Sequence, residues 1–412
     1  MSTALVYIAM LAMISFRDFI LPSASNDMMD AFVQRSPWES SSVTTASSET
    51  VHILYGLHGN STGFLDQWEV NLKSVLLNAP LDYPLHIHII ANSDAEQAIQ
   101  LRLAEAGLMT MVANPNDFES NSTTILMRQQ NRMTIYNVES FHDEWTSFLL
   151  QKFRGKDLDG AYPMGVYYRL LAYRVILPYW RQRNYDIDSI LYMDADVVVL
   201  SNLNDLWRNV ESAATRGIPE GDPINGVTDP IATNSTPIIY QWSATWPNSG
   251  FAVYYLKQMH RFWDLLDELP EIGHTNDQNL LTDVAKAFPQ VAGTLPKEWD
   301  THLGHGWRPA PHTLLHKQKR VGMAHFTGKP PQGQSYMDSA EGVLKYCIRS
   351  KSCGNSETSK AAFMRTWGLV DYYIRIPWHY VHYFAESQLP IGEQGHPMTI
   401  EMVRPDPSLL VE

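Results

Sequence analysis

Ile190-Leu191-Tyr192-Met193-Asp194-Ala195-Asp196 sets an unbroken apolar run directly against two carboxylates one residue apart. Such a run closed by charge reads as a buried strand leaving a sheet. In extended backbone, residues i and i+2 project to the same side. Asp194 and Asp196 are therefore expected to face one site while Ala195 faces away. Two hard oxygen donors at one spot repel unless a cation sits between them, which is how Mg2+ and Mn2+ sites are built. Asp186-Ile187-Asp188 repeats the spacing just upstream. Position separates the two pairs. Ligands of open α/β sheets bind beyond the carboxyl ends of strands, and only Asp194 and Asp196 lie past one.

Upstream, Val51 to Tyr55 is a short apolar run followed by Gly56 and Gly59, and Phe64 to Leu77 has helical spacing. Leu85 to Ile90 reads as a second strand, and Ala95 to Ala106 as a helix ended by Gly107. Val166 to Leu177 is expected to be a helix stopped by Pro178. Strand and helix in alternation imply an α/β fold, with a mainly parallel mixed sheet and helices on both faces. The loop Gly56-Leu57-His58-Gly59-Asn60 then lies at a strand's carboxyl end, beside any ligand. Downstream, Phe251 to Leu256 reads as a strand and Asp277 to Ala287 as a helix. Val321 and Met323 lead into His325-Phe326-Thr327-Gly328-Lys329-Pro330, so His325 is expected to close a further strand. An imidazole beside two carboxylates favours Mn2+ over Mg2+. Gly328 would let backbone approach a phosphate, and Lys329 would meet its charge. From about Asn355 the chain is aromatic without a clear period, and 391–412 reads as a tail.

Hydrophobic residues make up 44% of the 412 and charged residues 18%, which excludes wholesale disorder. The net charge of −13 repels phosphate backbones and argues against nucleic acid as a partner. Ala4 to Phe16 is apolar but short for a membrane span, so residues 1–22 read as a signal peptide or a signal-anchor. A Ser/Thr-rich stem follows over 23–50, and Asn60, Asn121 and Asn234 each open a glycosylation sequon. Cys347 and Cys353 are spaced to close one small disulfide. These features place the chain in the secretory pathway, in the Golgi or ER lumen, as a glycoprotein with membrane attachment through its N-terminus as one option.

Ile190 to Trp207 (ILYMDADVVVLSNLNDLW) resembles the metal-binding stretch of family 8 of the retaining glycosyltransferases, the group that includes glycogenin. Tyr167-Tyr168-Arg169-Leu170, Asn248-Ser249-Gly250, Asn276-Asp277-Gln278 and His325 to Pro330 resemble further family elements in the expected order. Leu295-Pro296-Lys297-Glu298-Trp299 is similar to the glucoside xylosyltransferase branch. The resemblance implies a single GT-A domain over 51–390, a UDP-sugar donor and a carbohydrate or glycoprotein acceptor. It implies Asp194, Asp196 and His325 as ligands of Mn2+ (or Mg2+), and Asp277 and Gln278 at the reacting sugar. Gly56, His58, Arg169, Asn248, Gly250, Gly328 and Lys329 are implied to bind the donor. Lys329 follows His325 by four residues where the family spacing is six, so Lys317 or Lys319 could take its place.

Three other readings compete. A nucleotidyltransferase would want Arg or Lys in the first loop, and Gly56 to Gly63 has neither. A zinc site of His302, His305, His312 and His316 is interrupted by Pro309 and Pro311. A non-catalytic sugar-binding protein of the same fold would not require the intact acid pair.

Overall fold

The computed structural model describes residues 50–79, 84–108, 131–156, 164–203, 206–207, 238–241, 249–272, 276–294, 301–302, 322–325, 372–381 and 399–405. Strands β1 (Val51–Leu57), β2 (Leu85–Ala91) and β3 (Arg132–Asn137) pair in parallel. Helices α1 (Thr62–Leu77) and α2 (Ser93–Glu105) connect them, and α3 (His142–Lys152) and α4 (Gly165–Arg181) follow. β4 (Ser189–Met193) pairs in parallel with the other side of β1. Beyond it lie β7 (Phe251–Tyr255), antiparallel to both its neighbours, then β6 (Ile239–Gln241) and β8 (Ala292–Thr294). Helices α5 (Met259–Glu268) and α6 (Asp277–Ala287) separate β7 from β8. A small second sheet joins β5 (Val197–Val199), β10 (Met323–His325) and β9 (Thr301–His302).

All seven residues of β1 and of β2 are buried, which is why β1 reads as an apolar run, while β2 buries His86 and His88 among its apolar residues. The pleat sorts the side chains into two cores. Ile53, Tyr55, Ile87 and Ile89 pack with Leu65, Trp68 and Leu72 of α1 and Ile99 and Leu103 of α2. Leu54, Ile90 and Tyr192 face the opposite way, onto α3, α4, α5 and α6. Helices thus cover both faces of a mainly parallel mixed sheet, as expected. Asn92 caps α2 by accepting from the Ala95 N–H at 3.2 Å, with Asp94 and Glu96 favourably placed in its first turn.

Two expectations need correction. Helix α4 does not stop at Pro178 but runs through it to Arg181. An interior proline costs about 3 kcal/mol, but here it falls in the last turn. Continuing the helix buries Tyr179 and Trp180, whose indole N–H donates to the Tyr136 hydroxyl at 2.7 Å. The supposed tail also carries a strand, β11 (Thr399–Val403), which pairs in parallel with β3 at the sheet's edge. Among the described residues no helix is long and apolar enough to cross a membrane. The expected N-terminal segment, the stem, the Asn121 and Asn234 sequons and both cysteines lie outside the described residues.

Strand β11 buries Ile400 and Val403, and Glu401 accepts from the Tyr179 hydroxyl. Truncation after Met398 is therefore expected to remove about 3–6 kcal/mol of apolar burial. In a thermal melt the midpoint should fall by several degrees or more; an unchanged midpoint would show β11 to be dispensable.

Candidate functional site

The strand order β3-β2-β1-β4 reverses direction between β1 and β4, and at such a switch point the carboxyl ends of the strands open a crevice. Asp194 to Asp196 stand there. The backbone does not remain extended. Past Met193 it makes a tight turn closed by the Val197 N–H to the Asp194 carbonyl at 3.2 Å. The i, i+2 alternation is thus replaced by a turn with the same outcome, and Ala195 is buried. The turn is held from two sides. Its Asp194 N–H donates to the Gly250 carbonyl at 2.7 Å, and the Asp194 carbonyl accepts from the Asn71 amide of α1 at 3.0 Å. Asn71 is buried and in turn accepts from the Tyr55 hydroxyl at 2.6 Å.

His325 closes β10, opposite Val197 in the antiparallel pair. Its Nε2 lies 3.3 Å from Asp196 Oδ1. One donor atom each from Asp194, Asp196 and His325 falls within 4.8 Å of the others. Asp194 spends Oδ1 on the Tyr192 hydroxyl at 2.6 Å and on Arg169 at 3.2 Å, so Oδ2 is the atom turned toward Gly250. A Cβ at Gly250 would sit 2.6 Å from that oxygen and 2.7 Å from His325 Nε2. The space where the donors meet exists because residue 250 has no side chain. Two carboxylate oxygens and one imidazole fit a divalent ion of the Mn2+ type, with Tyr192 and Arg169 orienting one ligand from behind.

Arg169 is 2% exposed, on the face of α4 directed at this turn. Its guanidinium contacts Asp194, lies 3.3 Å from Asp277 Oδ2, donates to the Ser249 and Val166 carbonyls, and stacks 4.0 Å from the Tyr192 ring centre. Burial works to lower its pKa, but Asp277, Tyr192 and Asp194 more than offset that, and it stays protonated. Asp277 opens α6, which Asn276 caps by accepting from the Asn279 N–H at 2.9 Å. Burial pushes the Asp277 carboxyl upward, with Arg169 opposing. Gln278 stands next to it, partly exposed.

On the β1 side, Gly56 and Gly165 let strand and helix meet. A Cβ at Gly56 would lie 2.5 Å from the Gly165 carbonyl oxygen. His58 faces the Tyr168 hydroxyl at 3.0 Å, and burial and His142 hold its pKa below the usual value. Gly59 takes φ +78°, and its N–H reaches the Asn92 side chain at 2.8 Å.

Asp194, Asp196, His325, Arg169, Asp277 and Gly250 are thus gathered at one place, with His58 and Gly56 at the neighbouring strand end. Asn248, Gly328, Lys329, Lys317 and Lys319 lie outside the described residues, as do 295–299, His305, His312 and His316. Asp186 and Asp188 instead pair with Lys257 at the surface. Sequence reading missed Asn71, Tyr55, Tyr192 and the Ser249 carbonyl. Tyr192, in the apolar run that leads to the acid pair, and Ser249, inside Asn248-Ser249-Gly250, lay in segments that carried a signal, but not one for these contacts.

No family model matches the chain, and no curated protein does so significantly. Among solved structures it is similar to mouse xyloside xylosyltransferase 1 in its apo form, at 14% identity, over 69% of this chain and 99% of that one, with a TM-score of 0.45. It is similar to the bifunctional glycosyltransferase WbbM at 12% identity, over 78% and 53% of the two chains, with a TM-score of 0.42. A third is the galactosyltransferase LgtC with donor and acceptor sugar analogues, at 14% identity, over 76% and 100%, with a TM-score of 0.39.

Gly250→Ala places a methyl among the three donors. It should weaken Mn2+ binding at least about tenfold while circular dichroism still shows a cooperative melt. Unchanged affinity in a Mn2+ titration would contradict the assignment of this space.

Proposed function

We propose that the protein is a retaining, metal-dependent glycosyltransferase that moves a sugar from a UDP-sugar to an acceptor hydroxyl of a glycan or glycoprotein, in the lumen of the secretory pathway. One observation carries the reading: Asp194, Asp196 and His325 converge at the sheet's switch point, with Arg169 and Asp277 packed behind them. The formal charges there are three carboxylates against one guanidinium. That net charge of −2 calls for one divalent cation, and an anionic diphosphate would be met through that ion rather than by the side chains directly.

In this reading Asp194, Asp196 and His325 hold Mn2+, which supplies positive charge to the donor diphosphate. Arg169 fixes the Asp194 carboxylate so that the ligand is set before substrate arrives. The loop Gly56–Asn60 borders the nucleotide, with His58 neutral because burial and His142 lower its pKa. Gln278, partly exposed, lies toward the donor sugar, with the buried Asp277 held behind it by Arg169. The anomeric C–O bond to the diphosphate breaks with its electron pair leaving on UDP. The acceptor oxygen bonds to the anomeric carbon, and its proton departs to a phosphate oxygen or solvent. Retention of stereochemistry, the UDP donor, and donor contacts by Asn248, Gly328 and Lys329 rest on the sequence resemblance.

The test is a screen of UDP-sugars for Mn2+-dependent UDP release and transfer. One donor should be turned over, and Asp196→Asn should lower the rate about a hundredfold or more with the fold retained. Full activity of that variant at saturating Mn2+ would refute the metal assignment. The lumenal location predicts that chain expressed in a eukaryotic host shifts on a gel after glycosidase treatment, and that Asn60→Gln removes part of the shift. No shift would contradict it. Asn60 is exposed, as an acceptor must be.

A further inference from the structure

At the opposite end of the same strands, His52 of β1 and His86 and His88 of β2 stand together on one face of the sheet. His52 and His86 are paired in register, with His88 two residues further along. All three are buried, and one nitrogen of each lies within 4.8 Å of the others. The reaction proposed for the acid-pair site makes no use of them.

We propose that His52, His86 and His88 form a second metal site, a structural one for Zn2+ or a similar imidazole-seeking ion, at the amino end of the sheet. Two observations support it. First, the ring spacing suits a shared ion. An imidazole centre lies roughly 3.2 Å from a zinc it binds, so two such centres at a tetrahedral angle are about 5.2 Å apart. The His52–His88 and His52–His86 centres are 5.2 and 5.4 Å apart. His52 Nδ1 and His88 Nε2 face each other at 2.9 Å, and ligation needs only about 3.3 Å between them. His86 and His88 stack at 3.9 Å, so that pair must open by roughly an ångström.

Second, each ring has a nitrogen held by a hydroxyl. His88 Nδ1 meets Tyr136 at 2.9 Å, His86 Nε2 meets Thr134 at 2.8 Å, and His52 Nε2 meets Tyr185 at 3.4 Å. Ligating histidines are oriented in this way by their outer nitrogens. Tyr136 is itself fixed by the Trp180 indole at 2.7 Å. Tyr185, 37% exposed, covers His52 and marks the side from which an ion would enter.

Two metal sites in one chain require variants that separate them. Asp196→Asn is used to disable the acid-pair site, after chelator treatment and dialysis. Titrated with Zn2+, this variant should bind one equivalent per chain and melt several degrees higher. Its Co2+ form should show the intense visible bands of a tetrahedral site. His88→Gln in the same background keeps a hydrogen-bonding side chain and should abolish that equivalent. The single variant His88→Gln should still bind Mn2+ at the acid pair. If His88→Gln fails to fold, the stoichiometry and Co2+ spectrum of Asp196→Asn decide alone. A chain that takes up no Zn2+ there and shows no shift in melting overturns the proposal. The trio would then be a neutral hydrogen-bonded stack within the core.

Discussion

Arg169 carries a charge with almost no access to water, and everything around the site follows from how that charge is satisfied. It takes two carboxylates, two carbonyls and an aromatic face from four separate parts of the chain. Asp194 comes from the end of β4, Ser249 from the approach to β7, Asp277 from the start of α6, and Val166 from its own helix. Removing one partner of a buried pair strands the other, typically at about 3–5 kcal/mol. The three elements that meet at the crevice are therefore coupled through one side chain. Gly250 follows Ser249 directly, so the contact that anchors β7 also sets the bare backbone against which the three donor atoms gather.

The two ends of the β2-β1-β4 part of the sheet differ in chemistry. At the carboxyl end the groups are formally charged and border a crevice, as a site for an anionic substrate requires. At the amino end they are imidazoles, hydroxyls and an indole, closed under α4, with Trp180 and Tyr136 sealing the layer. Pro178 lies inside the helical turn that carries Tyr179 and Trp180, so the uninterrupted helix serves that end of the sheet.

Much of this was legible in the sequence where periodicity and position agreed. Strands β1 and β4 are buried on both faces and so read as short apolar runs, and β2 was readable despite its two histidines because they alternate with Leu and Ile. Helix α6 was readable because Asn276 and Asp277 mark its start. The acid pair was separable from Asp186 and Asp188 by position alone, and the ion pairs of the latter with Lys257 explain why two carboxylates can share that surface. The clamp on the turn was not legible. Asn71 lies in the middle of an amphipathic helix and looks like any polar residue there; its partner, the Asp194 carbonyl, is brought near only by tertiary packing. Strand β11 was missed for a related reason. An edge strand of five residues draws its stability from β3 and from Tyr179, neither of which is near it in sequence. Helix α4 was cut short because proline was weighed without the burial that follows it.

The most direct test is a crystal structure of the protein with Mn2+ and UDP, using anomalous scattering at the manganese edge. A manganese peak bounded by Asp194, Asp196 and His325, with the diphosphate on its open side and the uracil toward the Gly56–Asn60 loop, is the expected result. No manganese peak at these three residues, or UDP bound away from the β1–β4 crevice, would contradict the assignment of this site.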